Sequence, residues 1–236
     1  MSGKGNVMTR TRTIDRPEEL SEINDLQDSA ISIDMNMNGE RLDENTALIL
    51  SMRAQEKNMK SMILKNIFMS SQSLCSVMSA VLWKSEADCL VIRNCNLDAK
   101  ILSSCVDATY TSNTHTSEKQ EKENNLQNDS KKNIEKNVKN NNKKITINTD
   151  NSNITLLDIS FNNLNSLGIK HFLSILKRCP NLKILALDGN DFNINDIQNL
   201  MNIVQKHPSI TQISLSNCGL TDECIEYINY GLKINR

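Results

Sequence analysis

One apolar phrase returns five times in this 236-residue chain on a 28-residue beat. Its clearest copies run Ile154-x-x-Leu157-x-Ile159-x-x-Asn162-x-Leu164, then Leu182 through Phe192, then Ile210 through Leu220. A fourth spans Cys89 to Leu97, and a degenerate fifth, Met59 to Met69, keeps the phase. The anchors Met62, Leu90, Leu157, Leu185 and Ile213 are separated by 28, 67, 28 and 28 residues, and 67 is one period plus an insertion of 39. A fixed period of this length marks stacked units, each too small to bury its own apolar face.

The period also holds beyond the phrase. Twelve residues past the anchors stand Leu74, Leu102, Ile169, Ile197 and Ile225, and fifteen past them Val77, Cys105, Phe172, Leu200 and Ile228. Apolar positions spaced i, i+3, i+4 read as the inner stripe of a helix, so each unit is a short strand followed by an amphipathic helix. Asn162, Asn190, Cys95 and Cys218 fall at the turn leaving each strand, where a small polar or thiol group can hydrogen-bond the backbone of a neighbouring coil. Ile67 holds that place in the first copy, which suggests a divergent, partly capping unit.

The phrase resembles that of the leucine-rich repeat superfamily, in its ribonuclease-inhibitor-like type. Leu157 to Leu164 and Leu215 to Cys224 lie close to the Asn and Cys forms of the family phrase. The resemblance covers Met59 to Arg236 apart from the insertion. It implies an α/β solenoid: a short curved horseshoe of about five repeats, with a parallel β-sheet on the concave face and helices on the convex face.

Outside the repeats the sequence divides into three parts. Residues 1–44 carry ten acidic and five basic residues with only scattered apolar ones, and read as a disordered acidic tail. Residues 45–58 read as a helix capped by Asn45 that covers the open N-terminal end of the stack. Residues 111–149 form a low-complexity Asn/Lys-rich insertion within the domain of residues 59–236, lengthening a surface loop without breaking the core. Its tail, Lys131 to Lys144, holds six lysines with no aromatic or arginine between them, the composition of a solvated tether rather than a nucleic-acid contact.

Composition narrows the function classes. No run of eighteen apolar residues exists, so no membrane association is expected, and the N-terminal stretch lacks a secretory apolar segment, which places the chain in the cytoplasm with nuclear or cytoskeletal association open. An odd count of seven cysteines, several at repeat positions, reads as reduced packing thiols. No Cys-x-x-Cys pair and no ligand spacing among the three histidines is present, so neither metal nor cofactor is expected. Nucleophile-elbow and phosphate-loop motifs are absent and glycines number only seven, so neither an enzyme nor a small-molecule substrate is expected.

What remains is binding. Strand alternation turns the anchors inward and leaves Ile63, Lys65, Val91, Arg93, Asp158, Ser160, Ala186, Asp188, Ser214 and Ser216 on the opposite face. The candidate partner contacts are therefore Lys65, Arg93, Asp158, Ser160, Asp188, Ser214 and Ser216, with Phe161 as the aromatic anchor. The expected function is a noncatalytic scaffold that holds a protein partner on this face. The family resemblance leaves two alternatives, a GTPase regulator similar to Ran GTPase-activating protein and a substrate receptor of a ubiquitin ligase.

Overall fold

The computed structural model describes residues 11–21, 30–108 and 152–234. Among these described residues seven strands form one all-parallel sheet in sequence order: β1 (Thr11–Ile14), β2 (Ala30–Asn36), β3 (Met59–Lys65), β4 (Cys89–Arg93), β5 (Leu156–Asp158), β6 (Ile184–Ala186) and β7 (Gln212–Ser214). Helices α1 (Glu44–Arg53), α2 (Ser71–Lys84), α3 (residues 99–108), α4 (Ser166–Leu176), α5 (Ile194–Val204) and α6 (Asp222–Ile234) each follow a strand. From β2 onward strand and helix therefore alternate among the described residues, and each strand pairs with the strands of the adjacent coils.

The 28-residue beat becomes sheet register. Met62 pairs with Leu90, Leu90 with Leu157, Leu157 with Leu185 and Leu185 with Ile213. Met62, Leu90, Leu157 and Leu185 are fully buried, and Leu74, Val77, Leu102, Cys105, Phe172, Ile197 and Leu200 close over them from the helices in one continuous core. At β7 and α6, the last described coil, Ile213 and Ile228 are only partly buried and Ile225 is half exposed.

Several expectations for the N-terminal region change. Residues 1–44 were expected to be a disordered tail, yet β1, a 3-10 turn at Pro17–Ser21 and β2 lie within them. Ile14 pairs with Ile33 and Ile33 with Met62, and all three are buried. The helix expected over residues 45–58 as an end cap is instead the helix of the β2 coil, because two strands stand on its N-terminal side. Its N-cap is Asp43, not Asn45: the carboxylate accepts from the Asn45 and Thr46 backbone N–H groups at 2.9 and 3.0 Å. The unit containing Ile67 is likewise interior rather than capping, with β2 beside it and Ile67 fully buried. The insertion expected at residues 111–149 lies outside the described residues.

Among the described residues no helix is long and apolar enough to cross a membrane.

Candidate functional site

At the turns leaving β3 to β7, four residues past the anchor, the backbone enters the left-handed region: Asn66 (φ 53°), Asn94 (50°), Phe161 (59°), Gly189 (63°) and Asn217 (55°). The geometry lets the N–H of each turn reach the next coil, as Asn66 does to the Arg93 carbonyl at 3.0 Å and Phe161 to the Asp188 carbonyl at 2.7 Å. Asparagine and glycine tolerate this conformation, whereas a bulky side chain sits there at a cost on the order of 1 kcal/mol. Asparagines exploit it as a ladder, the Asn94 amide donating to Asn66 at 2.7 Å and Asn66 to Asn36 at 3.0 Å. The ladder stops at Phe161.

Phe161 is the exception in this series, and its neighbours are shaped for it. Its ring packs against Gly189 so closely that a Cβ at that glycine would stand 2.3 Å from a ring carbon. The Arg93 guanidinium lies over the ring, 5.5 Å from its centroid, close enough for a cation–π contact. Phe161 nonetheless keeps 44% of its surface open to solvent.

The charges expected to meet a partner are mostly engaged with one another. Arg93 forms an ion pair with Asp158 at 2.9 Å, and Lys65 with Asp34 at 3.2 Å. Asp158 is buried, and its other oxygen accepts from the Ser160 N–H at 2.8 Å. Ser160, expected on the binding surface, is fully enclosed and accepts from the Asp188 N–H. Asp188 in turn accepts from the Ser214 hydroxyl at 2.5 Å and the Ser216 N–H at 2.7 Å. The Arg93 Nε is buried with no hydrogen-bond partner among the described residues. The structure thus joins Arg93, Asp158 and Phe161 at one end and Asp188, Ser214 and Ser216 at the other into one network, with Ser160 as the link. Lys65 stands apart from this network with Asp34.

The chain matches no protein-family model and no curated protein.

Sequence reasoning missed a feature on the other side of the sheet. Between α4 and α5 runs a groove of about 950 Å³ with Leu173 and Ile203 among its apolar walls and Lys170, Lys177 and Lys206 around it. His207 lines it as well, buried, with Nδ1 accepting from the Ser209 N–H and Nε2 unpartnered among the described residues. Burial pushes its imidazole below the ordinary histidine range. The three lysines are scattered over 37 positions of sequence, so no local charge run announces them.

The strain at Phe161 makes a stability prediction. Phe161→Asn relieves the left-handed backbone and gives up a half-exposed ring, two effects of about 1 kcal/mol each that offset. Phe161→Ala loses the ring and keeps a Cβ in the unfavourable conformation. The asparagine variant is therefore expected to be more stable than the alanine variant by about 1 kcal/mol in urea denaturation. Equal stabilities would mean that the turn carries no strain.

Proposed function

We propose that this chain is a noncatalytic protein-binding module of the leucine-rich repeat kind, a short horseshoe that holds a protein partner on its concave sheet face. The observation that carries the reading is Phe161, an aromatic kept in a backbone conformation that its sibling turns give to asparagine or glycine. Strain of this sort persists where something other than stability is served. An exposed aromatic with a rigid base is the kind of group that anchors an interface. The rest of the face suits a rim: its main charges are already paired, so a partner meets a polar surface without leaving a desolvated charge unmatched. The partner implied is a protein offering an apolar pocket to the ring and hydrogen-bonding groups to Ser214 and Ser216. A reducing compartment such as the cytoplasm suits a chain whose seven cysteines are all free thiols.

The test is an affinity capture from the native cell that compares wild type, Phe161→Asn and a helix-side variant, Lys170→Glu with Lys177→Glu. Since Phe161→Asn is expected to keep wild-type stability, a partner lost from it alone and retained by the helix-side variant supports the sheet face. Truncating such an anchor typically weakens binding by about 2 kcal/mol or more, roughly thirtyfold. A partner held equally by wild type and Phe161→Asn but lost from the lysine variant would move the function to the groove between α4 and α5.

A further inference from the structure

Two cysteines from neighbouring helices meet on the helical side of the molecule. Cys75 of α2 and Cys105 of α3 stand 13 and 15 residues past their anchors, so they are not equivalent in the repeat and the period does not pair them. Their sulfurs nevertheless lie 3.7 Å apart, with the Cys105 thiol directed at Cys75. Cys105 is fully buried, whereas Cys75 is only partly so. The Ser79 hydroxyl sits 3.8 Å from the Cys75 sulfur. A cavity of about 320 Å³ adjoins Cys75, with Ser71, Gln72, Ser76 and Lys100 around it. The pair therefore combines an accessible sulfur, a cationic side chain beside the approach, and a second thiol waiting behind the first.

We propose that Cys75 and Cys105 form a dithiol that reacts with small hydroperoxides, Cys75 as the attacking sulfur and Cys105 as the resolving one. In the first step the Cys75 thiolate attacks the hydroperoxide oxygen. The O–O bond breaks, the departing oxygen takes up a proton as alcohol or water, and Cys75 becomes a sulfenic acid. The Cys105 sulfur then attacks the Cys75 sulfur. The S–O bond breaks, and the hydroxyl leaves as water with the proton Cys105 gives up. Two thiols are oxidised by two electrons in all, and one hydroperoxide is reduced. The sulfurs close from 3.7 Å to about 2.0 Å, ordinary for a disulfide, and the bond ties α2 to α3.

The ionisation of the thiols agrees with these roles. Hydrogen bonding from Cys105 holds the Cys75 thiol below the ordinary cysteine range, against burial that opposes it, which favours the thiolate at this sulfur. Cys105 moves the other way, pushed up chiefly by its hydrogen bond to Cys75 and then by burial. Elsewhere burial pushes Cys89 and Cys95 up to about 11 and Cys179 up to about 12, and it raises Cys218. Nucleophilic character is thus concentrated at the sulfur that faces the cavity.

The experiment is a titration of the full chain with hydrogen peroxide, followed by peptide mass mapping without reductant. One equivalent is expected to remove two hydrogens and link the Cys75 and Cys105 peptides, reversibly on reduction. Cys105→Ala is expected to stop at a trappable sulfenic acid on Cys75. Cys75→Ser is expected to slow peroxide consumption about tenfold or more. The rate against pH is expected to show its midpoint below the ordinary thiol range in wild type and to move upward in Cys105→Ala, which removes the hydrogen bond to Cys75. Trp83 gives an independent readout, since its indole N–H donates to the Cys105 carbonyl at 3.2 Å and its fluorescence reports any shift of α3. Peroxide that oxidises other cysteines first, or that carries Cys75 to sulfinic acid with Cys105 still reduced, would overturn the proposal. Circular dichroism on each variant separates these outcomes from loss of the fold.

Discussion

Leu185→Asp is expected to unfold the domain. Leu185 stands at the middle of β6, fully buried, paired in register with Leu157 on one side and Ile213 on the other. Removing a buried leucine side chain costs about 2 to 5 kcal/mol through lost transfer energy and the cavity left behind. An aspartate then brings a carboxylate into a site lined by apolar side chains, where an uncompensated charge adds several kcal/mol. The total rivals the roughly 5 to 15 kcal/mol of an ordinary domain's stability. Position in the stack magnifies the damage, because each coil is stabilised chiefly by its neighbours and losing the sixth strips β7 and α6 of their support. The measurement is far-ultraviolet circular dichroism with limited proteolysis, against Ala186→Ser as the control. Ala186 is the next residue on the same strand but faces the other side, so its variant is expected to stay within about 0.5 kcal/mol of wild type. A folded Leu185→Asp would break the link between repeat phase and core.

How much of this could be read from sequence depended on whether a side chain's role repeats. Met62, Leu90, Leu157, Leu185 and Ile213 were legible because a shared core demands the same apolar group at the same offset, and the sheet pairs them in that order. The turn residues were legible for the same reason. Cys95 and Cys218 donate through sulfur to the Leu64 and Leu187 carbonyls of the preceding coils at 3.4 and 3.3 Å.

The β2 coil was hidden because it keeps the physics and drops the phrase. Ile31, Ile33 and Met35 alternate as a strand requires, followed by Asn38 and Gly39, both at positive φ, and by the Asp43 cap. Its anchor Ile33 lies 29 residues before Met62, one out of step, and β1 leaves only Ile14 to mark a strand four residues long. A search for alternation followed by Asn-Gly would have found β2.

The candidate site was legible in outline only. Strand alternation names Arg93, Asp158 and Asp188 as facing away from the core, but it cannot say that Arg93 and Asp158 neutralise each other across 65 residues of sequence. Nor can it say that Ser160 is enclosed by its neighbours. Phe161 was noticed as an aromatic. Its significance as the bulky member of an Asn/Gly series comes from the backbone dihedral, which sequence does not display. The Cys75–Cys105 contact depends on how α2 crosses α3, for which neither cysteine's place in the repeat is a guide.

Asn162→Ala is expected to cost about 3 kcal/mol or more, the second large effect. The Asn162 side-chain oxygen accepts from the Cys95 and Leu97 N–H groups of the preceding coil at 2.9 and 3.1 Å, and its amide donates to the Ile92 and Ile159 carbonyls at 2.6 and 3.0 Å. All of this is buried, and each N–H left without an acceptor costs on the order of 1 to 3 kcal/mol. The junction it serves is the most demanding in the chain, because the two coils are joined through 67 residues of sequence rather than 28. Closing the longer connection costs roughly 0.8 kcal/mol more by the logarithmic dependence on length. A side chain that supplies several times that amount therefore decides whether the coils on either side of the insertion stay in register. Asn162→Cys is expected to lose less than Asn162→Ala, since a thiol can still donate to the carbonyls as Cys95 and Cys218 do. Denaturant unfolding of the two variants checks this order. If alanine costs under about 1 kcal/mol, then strand pairing between β4 and β5, not the asparagine, is what holds the junction.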